Sequence, residues 1–75
     1  MKKINIDGFR LNDNVLITSY NPPLEGRVVD MYEVDSMSVA DETLKRKYPN
    51  AIPIFEVILK DGKLRPFVKD VVKKA

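Results

Sequence analysis

The sequence predicts a small, mainly β domain carrying one inserted helix. Three observations lead there. Segments 14–20 (NVLITSY), 26–34 (GRVVDMYEV) and 53–60 (PIFEVILK) are rich in β-branched and other apolar residues and are bounded by turn residues. Asp61-Gly62 stands between two apolar runs, the strongest short hairpin signal. Residues 36–48 break the strand pattern, with acids first, bases last and Pro49 as a stop. A chain of 75 residues makes one domain, residues 1–75.

Taken in chain order, Ile4 and Ile6 alternate before a turn at Asp7-Gly8, and Phe9 and Leu11 are expected to plug one end of the core. After the first strand, NPPLEG is a stiff turn in which proline fixes φ and Gly26 restores freedom. Its Pro-Pro step could also be read as a proline-rich ligand. In the second strand Val28 and Met31 lie three apart with Asp30 between, which places a bulge near Val29-Asp30. Such a bend lets a short sheet fold over on itself. The helix, within 36–48 and centred on about 38–48, would start from a Ser38/Asp41 capping box. Asp41–Lys45 and Glu42–Arg46 support it as i,i+4 pairs. Ala40, Leu44 and Tyr48 form a narrow apolar stripe, expected to lie across one open side of the sheet.

A two-residue type I′ loop at Asp61-Gly62 would pair Lys60 with Lys63, Leu59 with Leu64, Ile58 with Arg65, and Val57 with Pro66. Phe55, Val57, Leu59, Leu64, Pro66 and Val68 would then share an apolar face. Glu56, Ile58, Lys60, Lys63, Arg65 and Phe67 would share the other. Pro66 would fall in a non-hydrogen-bonded pair, its missing N–H pointing outward, so 63–68 is an edge strand or a corner. The tail VKDVVKK reads as a 3₁₀ or helical turn, with Val68, Val71 and Val72 folding back as a lid.

Composition excludes several chemistries. The chain has no cysteine and no histidine, so disulfides, thiolate ligands, imidazole bases and Ser–His or Cys–His pairs are absent. No apolar run reaches the length of a membrane span or a signal peptide, and a cytoplasmic location is expected. Net charge is +2, too small to demand a nucleic-acid partner. Its distribution is uneven. Lys60, Lys63, Arg65, Lys69, Lys73 and Lys74 face only Asp61 and Asp70 in the last sixteen residues.

The order of strand, turn, bent strand, connection, strand, tight turn, strand and short helical turn resembles the SH3-like small barrels, in particular the Tudor-like and KOW-like branch. LNDNVLI looks like that family's opening G-D-x-V-x-V strand, PLEGRVVDM like its G-x-V second strand, and FEVILKDGKLRPFVKDVV like its closing hairpin and 3₁₀ turn. The chain departs from the pattern at LNDN, where a glycine is common, and in the insertion near 35–52. The resemblance implies a five-stranded barrel with the inserted helix and a C-terminal 3₁₀ turn. It also implies a binding function, since members bind peptides, modified tails, RNA, or ribosomal and polymerase partners. Fold alone selects none of these.

Candidate residues follow. Ile58, Lys60, Lys63, Arg65 and Phe67 on one hairpin face combine an aromatic, an aliphatic and clustered bases, suited to a protein hot spot. Lys45, Arg46 and Tyr48 of the helix would extend that surface. The competing reading makes Lys60, Lys63, Arg65, Phe67, Lys73 and Lys74 a nucleic-acid site in which a base stacks and phosphates are held. The bland alternative lays Leu44 and Tyr48 over Ile58 and Phe67, leaving the lysines as a rim. Tyr20, Tyr32 and Phe9 could line an aromatic cage, or simply pack. Asp30, Glu33 and Asp35 could hold a hard cation, but carboxylates along one strand alternate faces, and solvated surface is the simpler reading. No cofactor, metal or small-molecule substrate is expected, and no enzyme activity. The expected function is non-catalytic binding: an adapter or inhibitor of a larger protein or complex, in a format used by phage-encoded and mobile-element regulators. The alternative is a KOW- or Tudor-like RNA- or DNA-binding protein.

Overall fold

The computed structural model describes residues 2–75. The chain forms β1 (Lys2–Lys3), β2 (Asn14–Ile17), β3 (Leu24–Asp35), a 3₁₀ turn (Ser36–Ser38), α1 (Glu42–Lys47), β4 (Ala51–Leu59), β5 (Leu64–Val68), a second 3₁₀ turn (Lys69–Val71) and β6 (Val72–Lys74). The strands make one antiparallel six-stranded sheet in the order β5-β4-β3-β2-β6, with β1 continuing the β2 side of β3. Thus the fold is mainly β, as the sequence indicates. It has six strands where five were expected, because the tail adds β6 against β2. Nor does the sheet close into a barrel: β5 and β6 end the path and share no ladder.

It is nonetheless strongly curled, and the connectivity requires this. Four inter-strand gaps of about 4.8 Å would set the two end strands of a flat sheet about 19 Å apart. Only Lys69–Val71 joins them, and the step from Val68 to Val72 spans at most about 14 Å fully extended, less in a 3₁₀ turn. The bend enters at β3. Its register against β4 shifts between Val28 and Asp30, where the sequence places the bulge, so Val28 and Met31 both point inward.

The interior is lined by Ile6, Val15, Ile17, Val28, Met31, Phe55, Val57, Leu59 and Val72, with Ile4, Phe9, Phe67 and Val71 packed against them. Phe9 meets Phe55 edge to face at 4.7 Å between ring centroids. Leu11, expected beside it as a second plug, is instead 54% exposed. Gly26 sits where the β4 side chains and backbone leave no room for a Cβ on β3. A Cβ there would lie 2.4 Å from Val57 Cγ1 and 3.0 Å from the Ile58 carbonyl oxygen.

The β4–β5 hairpin departs from the two-residue loop by one residue. Leu59 N–H donates to the Lys63 carbonyl at 2.9 Å, and Gly62 N–H to the Leu59 carbonyl at 2.9 Å. The loop is therefore Lys60-Asp61-Gly62. A type I′ turn needs positive φ at both central residues, but here only Gly62 (φ +86°) is left-handed. The Asp61 carboxylate accepts the Lys63 N–H and steadies the loop. The slip inverts β5: Phe55 faces Phe67, Val57 faces Arg65, and Ile58 faces Leu64. Phe67 joins the core and Leu64 is 58% exposed. Pro66 now opposes Glu56, and by alternation from Leu59:Lys63 this is again a non-hydrogen-bonded pair on an edge strand.

The helix is also shorter than expected. Asp35 caps the first 3₁₀ turn through the Met37 N–H, and Ser38 closes that turn by donating to the Asp35 carbonyl, so Ser38 ends the 3₁₀ turn and lies three residues before the α1 cap. Extended Val39 separates the two, and Asp41 alone caps α1, accepting from Thr43 and Leu44 N–H. Ala40 lies outside the helix, while Leu44 and Tyr48 are half-buried.

Two stability contrasts test this arrangement in urea unfolding. Phe67→Ala is expected to cost about 2 kcal/mol and Leu64→Ala under about 1 kcal/mol, the reverse of the order a two-residue loop requires. Gly26→Ala is expected to cost about 1–3 kcal/mol through steric overlap. Gly62→Ala should cost about 1 kcal/mol through its left-handed backbone alone, since nothing lies within 4 Å of an added Cβ.

Candidate functional site

The sheet has an interior face, carrying Phe55, and an outer face, carrying Ile58. On the outer face Ile52 and Tyr32 are buried near the 36–50 connection, where Ser36 donates to the Pro49 and Asn50 carbonyls. Tyr32 donates its hydroxyl to Glu56, and burial with that carboxylate pushes its pKa up to about 12. Lys3 pairs with Asp30 and lies over the Tyr32 ring at 5.8 Å. Toward the β4–β5 turn the face is more open, with Arg27 and Leu64 exposed and Ile58 half-buried. There Asn14, Arg27, Ile58 and Leu64 stand in one row across four strands.

Hence the sequence-derived surface comes apart. Ile58 and Lys60 are on the outer face, whereas Lys63, Arg65 and Phe67 lie on the interior side of β5. Phe67 is packed into the core and meets Tyr20 edge to face at 6.3 Å. Lys63 and Arg65 are exposed and form no ion pair among the described residues. Lys60 pairs with Glu25 at 2.6 Å. The helix residues belong to the other end of β5. Lys47 and Tyr48 both bind the Asp70 carboxylate, just after β5. Lys45 pairs with Glu42 at 3.8 Å, and Arg46 is exposed without an ion pair among the described residues. Tyr48 therefore covers neither Ile58 nor Phe67. Lys73 points outward beside Leu16. Lys74 points inward, donating to the Gly8 carbonyl at 2.6 Å and lying 5.5 Å over the Phe9 ring, so it closes the core mouth.

No aromatic cage forms. Tyr32 is on the outer face, and Phe9 and Tyr20 are engaged with Phe55 and Phe67 respectively. Among the described residues no three acidic side chains gather to hold a metal ion. Asp30 is taken by Lys3, and Asp35 by the Met37 N–H. No helix is long and apolar enough to cross a membrane, among the described residues.

The site the sequence reading missed is a hollow of about 430 Å³ at the open end of the outer face. Asn14, Glu25, Arg27, Ile58, Lys60 and Ala75 line it, together with Val15, Gly26, Leu59 and Gly62. Arg27 is exposed and makes no ion pair among the described residues. A second hollow of about 370 Å³, lined by Pro23, Leu24 and Asp61, shares Glu25, Leu59 and Lys60 with the first. Arg27 carries no local sequence signal. It joins this site only through the β3–β4 register.

Comparison with family models, curated proteins and solved structures finds no match to this chain.

The Asp70 hub makes a pH-dependent link between α1 and the sheet. Hydrogen bonds from Lys47, then Tyr48, hold the Asp70 carboxyl below its ordinary 3.8, and donating its bond to that carboxylate pushes Tyr48 up to about 12. A depressed carboxyl stabilises the fold above its ordinary pKa and loses that contribution as pH falls below about 3.8. A raised tyrosine contributes below pH 10 and loses its share as pH rises toward 12. Thermal melting across pH should therefore show losses at both extremes. Asp70→Asn should make the acid limb shallower, leaving the shares of Asp7 and Asp30, and Tyr48→Phe should do the same to the alkaline limb, leaving that of Tyr32. Unchanged limbs in both variants would remove the hub from the account.

Proposed function

We propose that this chain is a non-catalytic binding module of SH3-like topology, a small adapter or inhibitor that occupies a surface on a larger protein. The strand order, the bulged β3 and the 3₁₀ turn joining β5 to β6 support the SH3-like reading, although the sheet is open. One observation carries the choice of surface. Ile58 lines the outer hollow between the 58%-exposed Leu64 and Arg27, which makes no ion pair among the described residues, and none of the three belongs to the core cluster. Aliphatic side chains framed by a free guanidinium suit a protein contact.

The nucleic-acid reading draws on the unpaired Lys63, Arg65 and Lys73. It is the weaker one here because the rings that would stack bases are engaged: Phe67 with Tyr20, Phe9 with Phe55, and the Tyr32 and Tyr48 hydroxyls with carboxylates.

The test compares captures from cell lysate by the wild-type chain, Leu64→Asp and Arg27→Ala, each after nuclease treatment and a melting check of the fold. Proteins retained by the wild type and lost from both variants are the expected outcome. Capture abolished by nuclease, with nucleic-acid affinity falling steeply as salt rises, would move the function to RNA or DNA. Identical protein captures by all three chains would exclude this surface.

A further inference from the structure

The outer hollow holds an arrangement of charge that the core does not explain. Glu25 stands beside Leu16 on β2, which in turn stands beside Lys73 on β6. On its other side Glu25 meets Lys60 at 2.6 Å, and Arg27 follows two residues along the same strand and face. The Glu25 carboxylate thus lies beside Lys60 and Arg27, with Lys73 one strand further off, and among the described residues it pairs with Lys60. Both members of that pair are largely in water, with 76% and 57% of their side chains exposed. An ion pair of this kind holds weakly and exchanges readily. The same two side chains line both hollows, so the pair sits where the two meet.

On the protein-binding reading above, we infer that Glu25 is an internal competitor for an acidic peptide segment of the partner. The partner's carboxylate takes the place of the Glu25 carboxylate on Lys60, within reach of Arg27. An apolar residue next to it rests on Ile58 and Leu64, and the segment can continue over the sheet end toward Leu24. The occupant is a carboxylate with apolar neighbours for two reasons. There is one anion seat, and it is bordered by aliphatic side chains. The acids Glu25 and Asp61 interrupt the run of cations that a polyphosphate chain would follow. In the free protein Glu25 fills the seat, lowering affinity for acidic partners and screening the cations from stray anions.

The inference is tested on the intact chain with an unbiased phage-displayed peptide library, followed by fluorescence anisotropy of the enriched peptides. Enrichment of an Asp or Glu flanked by apolar residues is expected. Glu25→Gln should bind such a peptide roughly three- to tenfold more tightly, because the competitor has lost its charge. Glu33→Gln removes the same net charge elsewhere and should leave affinity nearly unchanged. Arg27→Ala and Leu64→Asp should weaken binding by roughly tenfold or more. Weakening by those two variants without tightening by Glu25→Gln would overturn the competitor while leaving the surface intact. Equal tightening by Glu33→Gln would reduce the effect to net charge and overturn it too. Indifference to Arg27→Ala and Leu64→Asp would overturn the surface itself. Enrichment of basic or proline-rich peptides, or of none, would overturn the partner's chemistry.

Discussion

Leu59 pairs with Lys63 across the β4–β5 turn, and that pairing decides which side chains of β5 reach the interior. Because side chains alternate along a strand, one register places Phe67 in the core while turning Leu64 and Pro66 outward. A shift of one residue would do the reverse. The balance favours the observed register at the turn, where the three-residue loop asks for a left-handed backbone only at Gly62, and Phe67 then packs against the core. Exposure of Leu64 follows from that balance. The aliphatic surface beside Arg27 is thus a by-product of how the core is filled.

The short link between β5 and β6 then shapes the rest. Joining the two ends of the sheet through Lys69–Val71 forces the curl, and the bulge at Val29 allows it without breaking the β3–β4 ladder. The same link carries Asp70, which receives Lys47 and Tyr48 from the end of α1. A six-residue helix with no fully buried side chain is marginal by itself. Its attachment rests on the Asp41 cap at one end and Asp70 at the other. Lys69 adds a link to Asp7 at 2.9 Å, and Lys74 one to Gly8, so the last seven residues tie the N-terminal loop to the open core.

Much of the fold was legible in local chemistry. β-branched runs mark β2, β3 and β4, the Val28/Met31 spacing marks the bulge, Pro66 marks an edge, and the acid-to-base gradient marks α1. What failed needed information that is not local. Asp-Gly marks a turn, but the choice between loops of two and three residues rests on whether Asp61 accepts a left-handed backbone. It rests also on which β5 residue the core can take. Ser38 looks like a cap until Asp35 claims it for a separate 3₁₀ turn. VVKK looks like a lid until β2 offers Val72 a partner in Ile17. The candidate site was less legible than the fold. Lys60 and Ile58 stay on the open face, but Phe67, Arg65 and Lys63 leave it because of the slip, and Arg27 is brought there by a strand some thirty residues away in sequence.

Two neighbouring rows across the sheet show how structure and recognition can be divided. Lys63, Leu59, Gly26, Val15 and Lys74 form the interior row at the open end. There Gly26 lets β3 close on Val57, and Lys74 reaches back to the Gly8 carbonyl over the Phe9 ring. From Leu59 to Lys74 the contacts of that row seal the core, while Lys63 closes the turn. The outer row, one residue out of phase, holds Asn14, Arg27, Ile58 and Leu64. Its side chains leave the core on the far side of the backbone, so they can vary in charge and size at little cost to packing. Arg27 and Ile58 are paired across the β3–β4 ladder, and a hydrogen-bonded ladder holds their spacing better than a loop would. A surface that stands one residue out of phase with the core, on strands held in that ladder, can be tuned for a partner without being paid for in stability.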